Sequence, residues 1–139
     1  MCLLFLIIPN RAKLIAPKIN FDEITDWNQK TSNNLTQWIE KLAICESSNN
    51  PLAVNPKDKD GRPKYGLFQF DIRTWKMYIT RYNLFNYQKW EEADWWNAIY
   101  SDYHQEIVLR EMIENGVDLA KEFGCIKKIG LFDNQLVIK

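Results

Sequence analysis

Trp38-Ile39-Glu40-Lys41-Leu42-Ala43-Ile44-Cys45-Glu46-Ser47 is the stretch from which the rest of the chain can be read. Leu35, Trp38, Ile39, Leu42 and Ala43 recur at helical spacing and form one apolar face. Asn34 stands before them as a cap, with Gln37 at the third helical position, which has the pattern of a capping box. A helix over residues 35–47 is therefore predicted. Asn49-Asn50-Pro51 ends it, because the residue before a proline avoids helical angles. Glu46 is left at the close of an apolar run. A carboxyl group there is partly desolvated, and negative charge is disfavoured near a helix C-terminus. Both effects raise its pKa, as a general acid near neutral pH requires. A surface glutamate closing a helix is the plainer reading of the same residue.

Downstream, residues 55–64 read as a loop or short hairpin, since Asn-Pro, Asp-Gly and Arg-Pro are all turn chemistry. Tyr65-Gly66-Leu67-Phe68-Gln69-Phe70 follows, with a glycine where the chain can pass close and a glutamine amide able to orient a sugar. Asp71 is placed to cap a second helix carrying Trp75, Met77, Tyr78 and Ile79. A third helical zone spans residues 90–115, with Val108, Leu109, Met112 and Ile113 on its apolar face and Gly116 as its stop. Residues 126–136 read as a terminal helix or strand. The fold class expected is mainly α, a helical domain with a short loop or hairpin region after the first helix.

A chain of 139 residues suits one domain with one core. The 18 basic and 18 acidic residues cancel, so there is no electrostatic case for nucleic acid as a partner. Six Trp, six Tyr and seven Phe either fill that core or leave a few rings to stack on sugar faces, and content alone does not separate the two. His104 is the only histidine, so neither a histidine triad nor a multi-histidine metal site can be assembled. Asp58-Lys59-Asp60-Gly61 opens like a calcium loop but lacks the closing glutamate, and an Asp-Gly turn is the simpler reading. No metal or cofactor is expected. Asp94-Trp95-Trp96-Asn97 is a sugar platform, core packing or a helix N-terminus. Residues 2–8 are apolar but far shorter than the roughly 20 residues a membrane span needs. With Pro9, Arg11, Lys13, Pro17 and Lys18 after them, residues 1–25 read as a signal or anchor remnant and linker, and residues 26–139 as the folded domain. A buried N-terminal strand is the alternative.

Cys45-Glu46-Ser47-Ser48-Asn49-Asn50-Pro51-Leu52-Ala53-Val54-Asn55, then Tyr65-Gly66-Leu67-Phe68-Gln69-Phe70 and Thr74-Trp75, resemble the core of lysozyme-like soluble lytic transglycosylases. They are closer still to the resuscitation-promoting-factor branch, where a Cys-Glu-Ser triplet and a Gly-Leu-Gln-Phe segment followed by Thr-Trp recur. The resemblance spans roughly residues 36–131. It implies an α-rich lysozyme-like fold and cleavage of the β-1,4 bond between N-acetylmuramic acid and N-acetylglucosamine in peptidoglycan strands. It implies Glu46 as the catalytic acid, Ser47 as its support, and Gln69 as a saccharide-contacting amide. Asn55, Tyr65 and Gly66 belong to the same motifs and are candidate substrate contacts. It also implies a Cys45–Cys125 bridge, which needs an oxidising compartment and so agrees with export. Closing that loop of about 80 residues would stabilise the fold by roughly 4 kcal/mol. Cys2 is then the odd cysteine.

The departures are informative. Chicken-type lysozymes carry an aspartate just before their Tyr-Gly pair, whereas this chain has Lys64. Ordinary glycosidases need two carboxylates about 5 to 9.5 Å apart. A lytic transglycosylase needs one, which protonates the leaving oxygen and then takes a proton from the muramic acid 6-hydroxyl. Lys64 therefore favours the transglycosylase reading, although Asp58 or Asp60 could serve a hydrolytic water. Phe68 stands where many transglycosylases carry Met, and the C-terminal half has no Tyr-Asn-Ala-Gly segment, which leaves Tyr100 or Tyr103 for that tyrosine. The expectation is an exported monomer acting on peptidoglycan, with membrane association through its N-terminus an open option. A lysozyme-type hydrolase, or an inactive glycan-binding or structural domain, is the alternative.

Overall fold

The computed structural model describes residues 21–132 and is mainly helical, with one two-stranded sheet. Helix α1 runs over Phe21–Ser47, fourteen residues earlier than the spacing predicts. Asn34 is inside it and caps nothing. Thr36 Oγ1 instead donates to Ser32 O at 3.0 Å, and Gln29 Nε2 to Asn33 Oδ1 at 3.4 Å, both one turn apart. Residues 29–34 before the stripe are polar and mostly exposed, so the apolar periodicity does not extend through them. The helix also runs through residue 25, where the linker was expected to end. The remainder of the expected signal or anchor, with Cys2, lies outside the described residues. Among the described residues no helix is long and apolar enough to cross a membrane.

From Trp38 onward α1 buries Trp38, Ile39, Leu42 and Ala43. It ends on two left-handed residues, Ser48 (φ 57°) and Asn49 (φ 60°), whose amides bond Ile44 O and Ala43 O. The segment expected to be a loop or short hairpin is a hairpin. Strands β1 (Val54–Asn55) and β2 (Lys64–Tyr65) pair antiparallel, Val54 opposite Tyr65 and Asn55 opposite Lys64. Gly61 closes their turn at φ 77°, its amide bonding Asp58 O at 2.8 Å. Residues 65–70 then fold back in a tight loop, with Tyr65 and Phe70 exchanging backbone bonds at 2.9 and 3.1 Å.

Helix α2 (Ile72–Tyr82) starts where expected, with the Asp71 carboxylate accepting from Arg73 N and Thr74 N. A 3-10 turn (Tyr87–Lys89) leads to α3 (Glu92–Ile99) and α4 (Asp102–Glu114). These two replace the single helical zone predicted over 90–115. The chain turns extended at Ser101, whose hydroxyl caps α4 by accepting from His104 N. Asp94 accepts from Glu91 N at 2.8 Å and so starts α3. Gly116 stops α4 as expected, at φ 67°. Short helices α5 (Leu119–Glu122) and α6 (Ile126–Ile129) bring the chain back to α1. Trp38 Nε1 donates to Gly130 O at 3.0 Å across that contact. Residues 133–136 of the expected terminal element lie outside the described residues.

One core joins these parts, with Leu42, Phe68, Trp75, Ile79, Ile99, Val108, Leu109 and Met112 at its centre. Gln105 is the polar exception, fully buried among them. Its Oε1 accepts from Phe68 N at 2.7 Å. Its Nε2 donates to Tyr65 O at 3.0 Å and to Ile99 O, the carbonyl freed by the break between α3 and α4. One amide thus ties the 65–70 loop to the helical core. Gly66 is where the backbone lies against it. At φ 77°, a Cβ on Gly66 would overlap Gln105 Nε2 and Ile99 O. Gly66→Ala is therefore expected to lose more than about 1 kcal/mol of stability, read as a lower urea midpoint.

Candidate active site

Glu46 lies in the last turn of α1, four residues after Leu42 and three after Ala43. It therefore continues the buried face to the helix end. There it meets the chain between α5 and α6. Cys125 N donates to Glu46 Oε1 at 2.9 Å, and the neighbouring Cys45 is disulfide-bonded to Cys125, with Cα atoms 5.9 Å apart. The bridge that the resemblance implied thus fixes the donor beside the acid. Burial pushes the Glu46 carboxyl above its ordinary pKa. The Cys125 amide opposes this, the Asp58 charge adds to it, and Lys128 and Lys64 pull the other way. Desolvation prevails because the group is half-buried with one backbone donor and no cation at ion-pair distance among the described residues. Reducing the bridge, or Cys125→Ala, is expected to lower stability by about 2 to 5 kcal/mol, read by thermal melts with and without reductant.

The carboxyl lines a recess of about 370 Å³, its open mouth included, with Asn55, Asp58, Lys64, Gln69, Glu122 and Gly124. Its interior offers only about 100 Å³, below the range usual for ligand sites, so an extended ligand would lie across it rather than inside it. Gln69 is held at φ 59°, and its Nε2 donates to Gly66 O at 2.8 Å and to Ala53 O at 3.4 Å. The side-chain amide is thereby locked to the loop it sits on. A second recess adjoins the first and shares Lys64, Gln69 and Glu122 with it. Asp60, Arg62, Asp71 and Lys121 are among its further walls.

Lys64 is the hub between the two. Its ammonium lies 2.9 Å from Asp60, 3.5 Å from Asp71 and 3.9 Å from Asp58. The Lys64 hydrogen bond, with the Arg62 amide, holds Asp60 down to about 2. Burial pushes Asp71 up, but the Thr74 amide and hydroxyl and the charges of Lys64 and Arg62 outweigh it and leave its carboxyl below the ordinary range. The Asp58-Lys59-Asp60-Gly61 turn therefore directs its carboxylates to Lys64 and Arg62.

The structure brings Glu46, Asn55 and Gln69 into one recess; Gly66 does not line it, and its carbonyl holds the Gln69 side-chain amide. Ser47 is adjacent in sequence, but its hydroxyl donates to Ala43 O and accepts from Asn50 N, both at 3.1 Å. It shapes the turn after α1. Tyr65 alternates with Lys64 along β2 and faces the other way. Its ring packs edge-on against Trp96 (5.1 Å) and Tyr100 (6.0 Å). Burial and the neighbouring Tyr65 raise the Tyr100 hydroxyl. Tyr103 is 63% exposed and stands apart, against His104 and Phe85. Of the two candidate tyrosines, Tyr100 is the one beside the motif. Neither lines the recess that holds Glu46. Trp95 and Trp96 are half-buried among Tyr87, Trp90 and Tyr65, as packing rather than an open platform.

Two site residues escaped the sequence reading. Glu122 lines both recesses and accepts a hydrogen bond from Tyr78, whose hydroxyl is pushed up to about 12 by burial and the Glu122 charge. Nothing local marks it. Gln105 had a signal: it occupies a core position of the 105, 108, 109, 112 stripe while being polar. Compared with known proteins, the chain matches no family model, no curated protein and no solved structure.

Proposed function

We propose that this protein is an exported peptidoglycan lytic transglycosylase with a lysozyme-like fold, in which Glu46 is the sole acid and base. One observation carries the reading. A half-buried carboxyl with a raised pKa closes a helix, is positioned by the Cys125 amide, and lines a recess with Asn55 and Gln69. Such a group stays protonated nearer neutrality than a surface glutamate and can protonate a glycosidic oxygen. The muramic acid 6-hydroxyl then attacks the anomeric carbon and returns a proton to Glu46, so water is not consumed. Gln69 and Asn55 orient the strand across the recess. The Cys45–Cys125 bridge supports the proposed export, because such bonds persist in oxidising compartments. The strand itself is the partner in this reading, and no cofactor takes part.

Digestion of purified sacculi with mass analysis of the released muropeptides tests it. Anhydromuramic ends are expected. Reducing ends would assign a lysozyme-type hydrolase, for which Asp58 and Glu122 in the recess are the available bases. Release of nothing would leave a silent glycan-binding or structural domain.

A further inference from the structure

Lys64 is the cation lining the Glu46 recess, and only 14% of its side chain is exposed. Two of its three carboxylate partners have other ties. Asp60 also pairs with Arg62 at 3.0 Å. Asp71 also holds Arg62, the Arg73 and Thr74 amides and the Thr74 hydroxyl. Asp58 has Lys64 as its single ion-pair partner among the described residues. It is also the aspartate that shares the recess with Glu46. The turn places it there, with Asp58 N bonding Arg62 O and Asp58 O accepting from Gly61 N. The recess therefore contains a second carboxylate, and beside it an ammonium.

A carboxylate takes a proton from water only if its lone pairs are free to reach that water. A paired ammonium holds the carboxylate in place and competes with water for its oxygens. We propose that Lys64 determines the product of the reaction by holding Asp58 out of it, so that the substrate's own hydroxyl, not water, reaches the anomeric carbon. This rests on the glycan-cleaving reading of Glu46.

The two routes differ in one bond. In the intact protein the C1–O4 glycosidic bond breaks and Glu46 gives its proton to the leaving O4. A C1–O6 bond forms, and the O6 proton goes to Glu46. Without Lys64 the same bond breaks with the same proton from Glu46. The oxygen of water then bonds C1, and its proton goes to Asp58. Both carboxyls afterwards re-equilibrate with solvent. The products differ by one water, an anhydro end against a reducing end.

The experiment digests sacculi with the intact protein, Lys64→Met, Lys64→Gln and the double variant Lys64→Met/Asp58→Asn, and measures the ratio of reducing to anhydro ends by mass. Asp71 keeps its other four partners in these variants, and the glutamine retains a donor in case Lys64→Met folds poorly. The ratio is expected to rise about tenfold in either single variant, as a newly competent general base would give, and to return to the intact protein's ratio in the double variant. An unchanged ratio in folded Lys64 variants, with anhydro ends from the intact protein, overturns this inference and leaves the transglycosylase reading standing. Reducing ends that persist in the double variant also overturn it, since another base such as Glu122 would then act. An intact protein that releases nothing, or mainly reducing ends, removes the transglycosylase reading itself.

Discussion

Replacing Glu46 with Gln is expected to slow glycan-strand cleavage by about a hundredfold to ten-thousandfold, the usual worth of a positioned general acid. The amide keeps an oxygen to accept from Cys125 N, so the local structure is retained while the transferable proton is lost. Turnover of sacculi, followed as soluble muropeptide released, reads the effect. Unchanged turnover would remove Glu46 from the chemistry. The pH profile is a second readout. The acid must be protonated to act, so activity depending on it falls as pH rises through its raised pKa. Stability carries the same sign. The folded value lies above the ordinary 4.5, so the folded state holds the proton more tightly. The stability this confers is fully present below 4.5 and is lost as pH rises through the folded value. Glu46→Gln does not titrate there. Its melting temperature relative to the parent is therefore expected to increase with pH across that window and then level off.

Replacing Gln105 with Leu is expected to be among the most damaging single changes to the fold. The leucine fits the volume but can neither donate nor accept. Phe68 N, Tyr65 O and Ile99 O would each lose a partner inside the molecule. Tyr65 O keeps the Phe70 amide, so two groups are left unsatisfied, and at about 1 kcal/mol or more for each the loss is about 2 kcal/mol or more. Thermal or urea unfolding measures it. Activity should fall further than stability alone explains, because Gln105 anchors the loop that carries Gln69. A loss under about 1 kcal/mol would show that the 65–70 loop holds its shape without the buried amide.

Much of the helical plan could be read directly. The Leu35–Trp38–Ile39–Leu42–Ala43 stripe, the Asp71 cap and the Gly116 stop are local signals whose physics acts within one or two turns. The first half of α1 was hidden because the polar, mostly exposed residues 29–34 interrupt the apolar periodicity. The break at Ser101 was hidden because a capping serine inside an apolar zone is ambiguous until Ile99 O is seen to have another donor. At the site, Glu46, Gln69 and Asn55 stood out through residue type and order. Glu122 did not, since it reaches the recess from a part of the chain more than seventy residues away.

By itself the sequence determined a mainly helical chain, a loop or hairpin after the first helix, and an acid at the end of an apolar run. Each depends on neighbours a few residues apart. Tertiary structure alone decided which groups face that acid. The Cys125 amide is 79 positions away from it, Gln105 bonds Phe68 across 37, and Lys64 chooses among three aspartates by distance. Desolvation and ion pairing depend on what surrounds a charge in space, and chain folding is what supplies those surroundings.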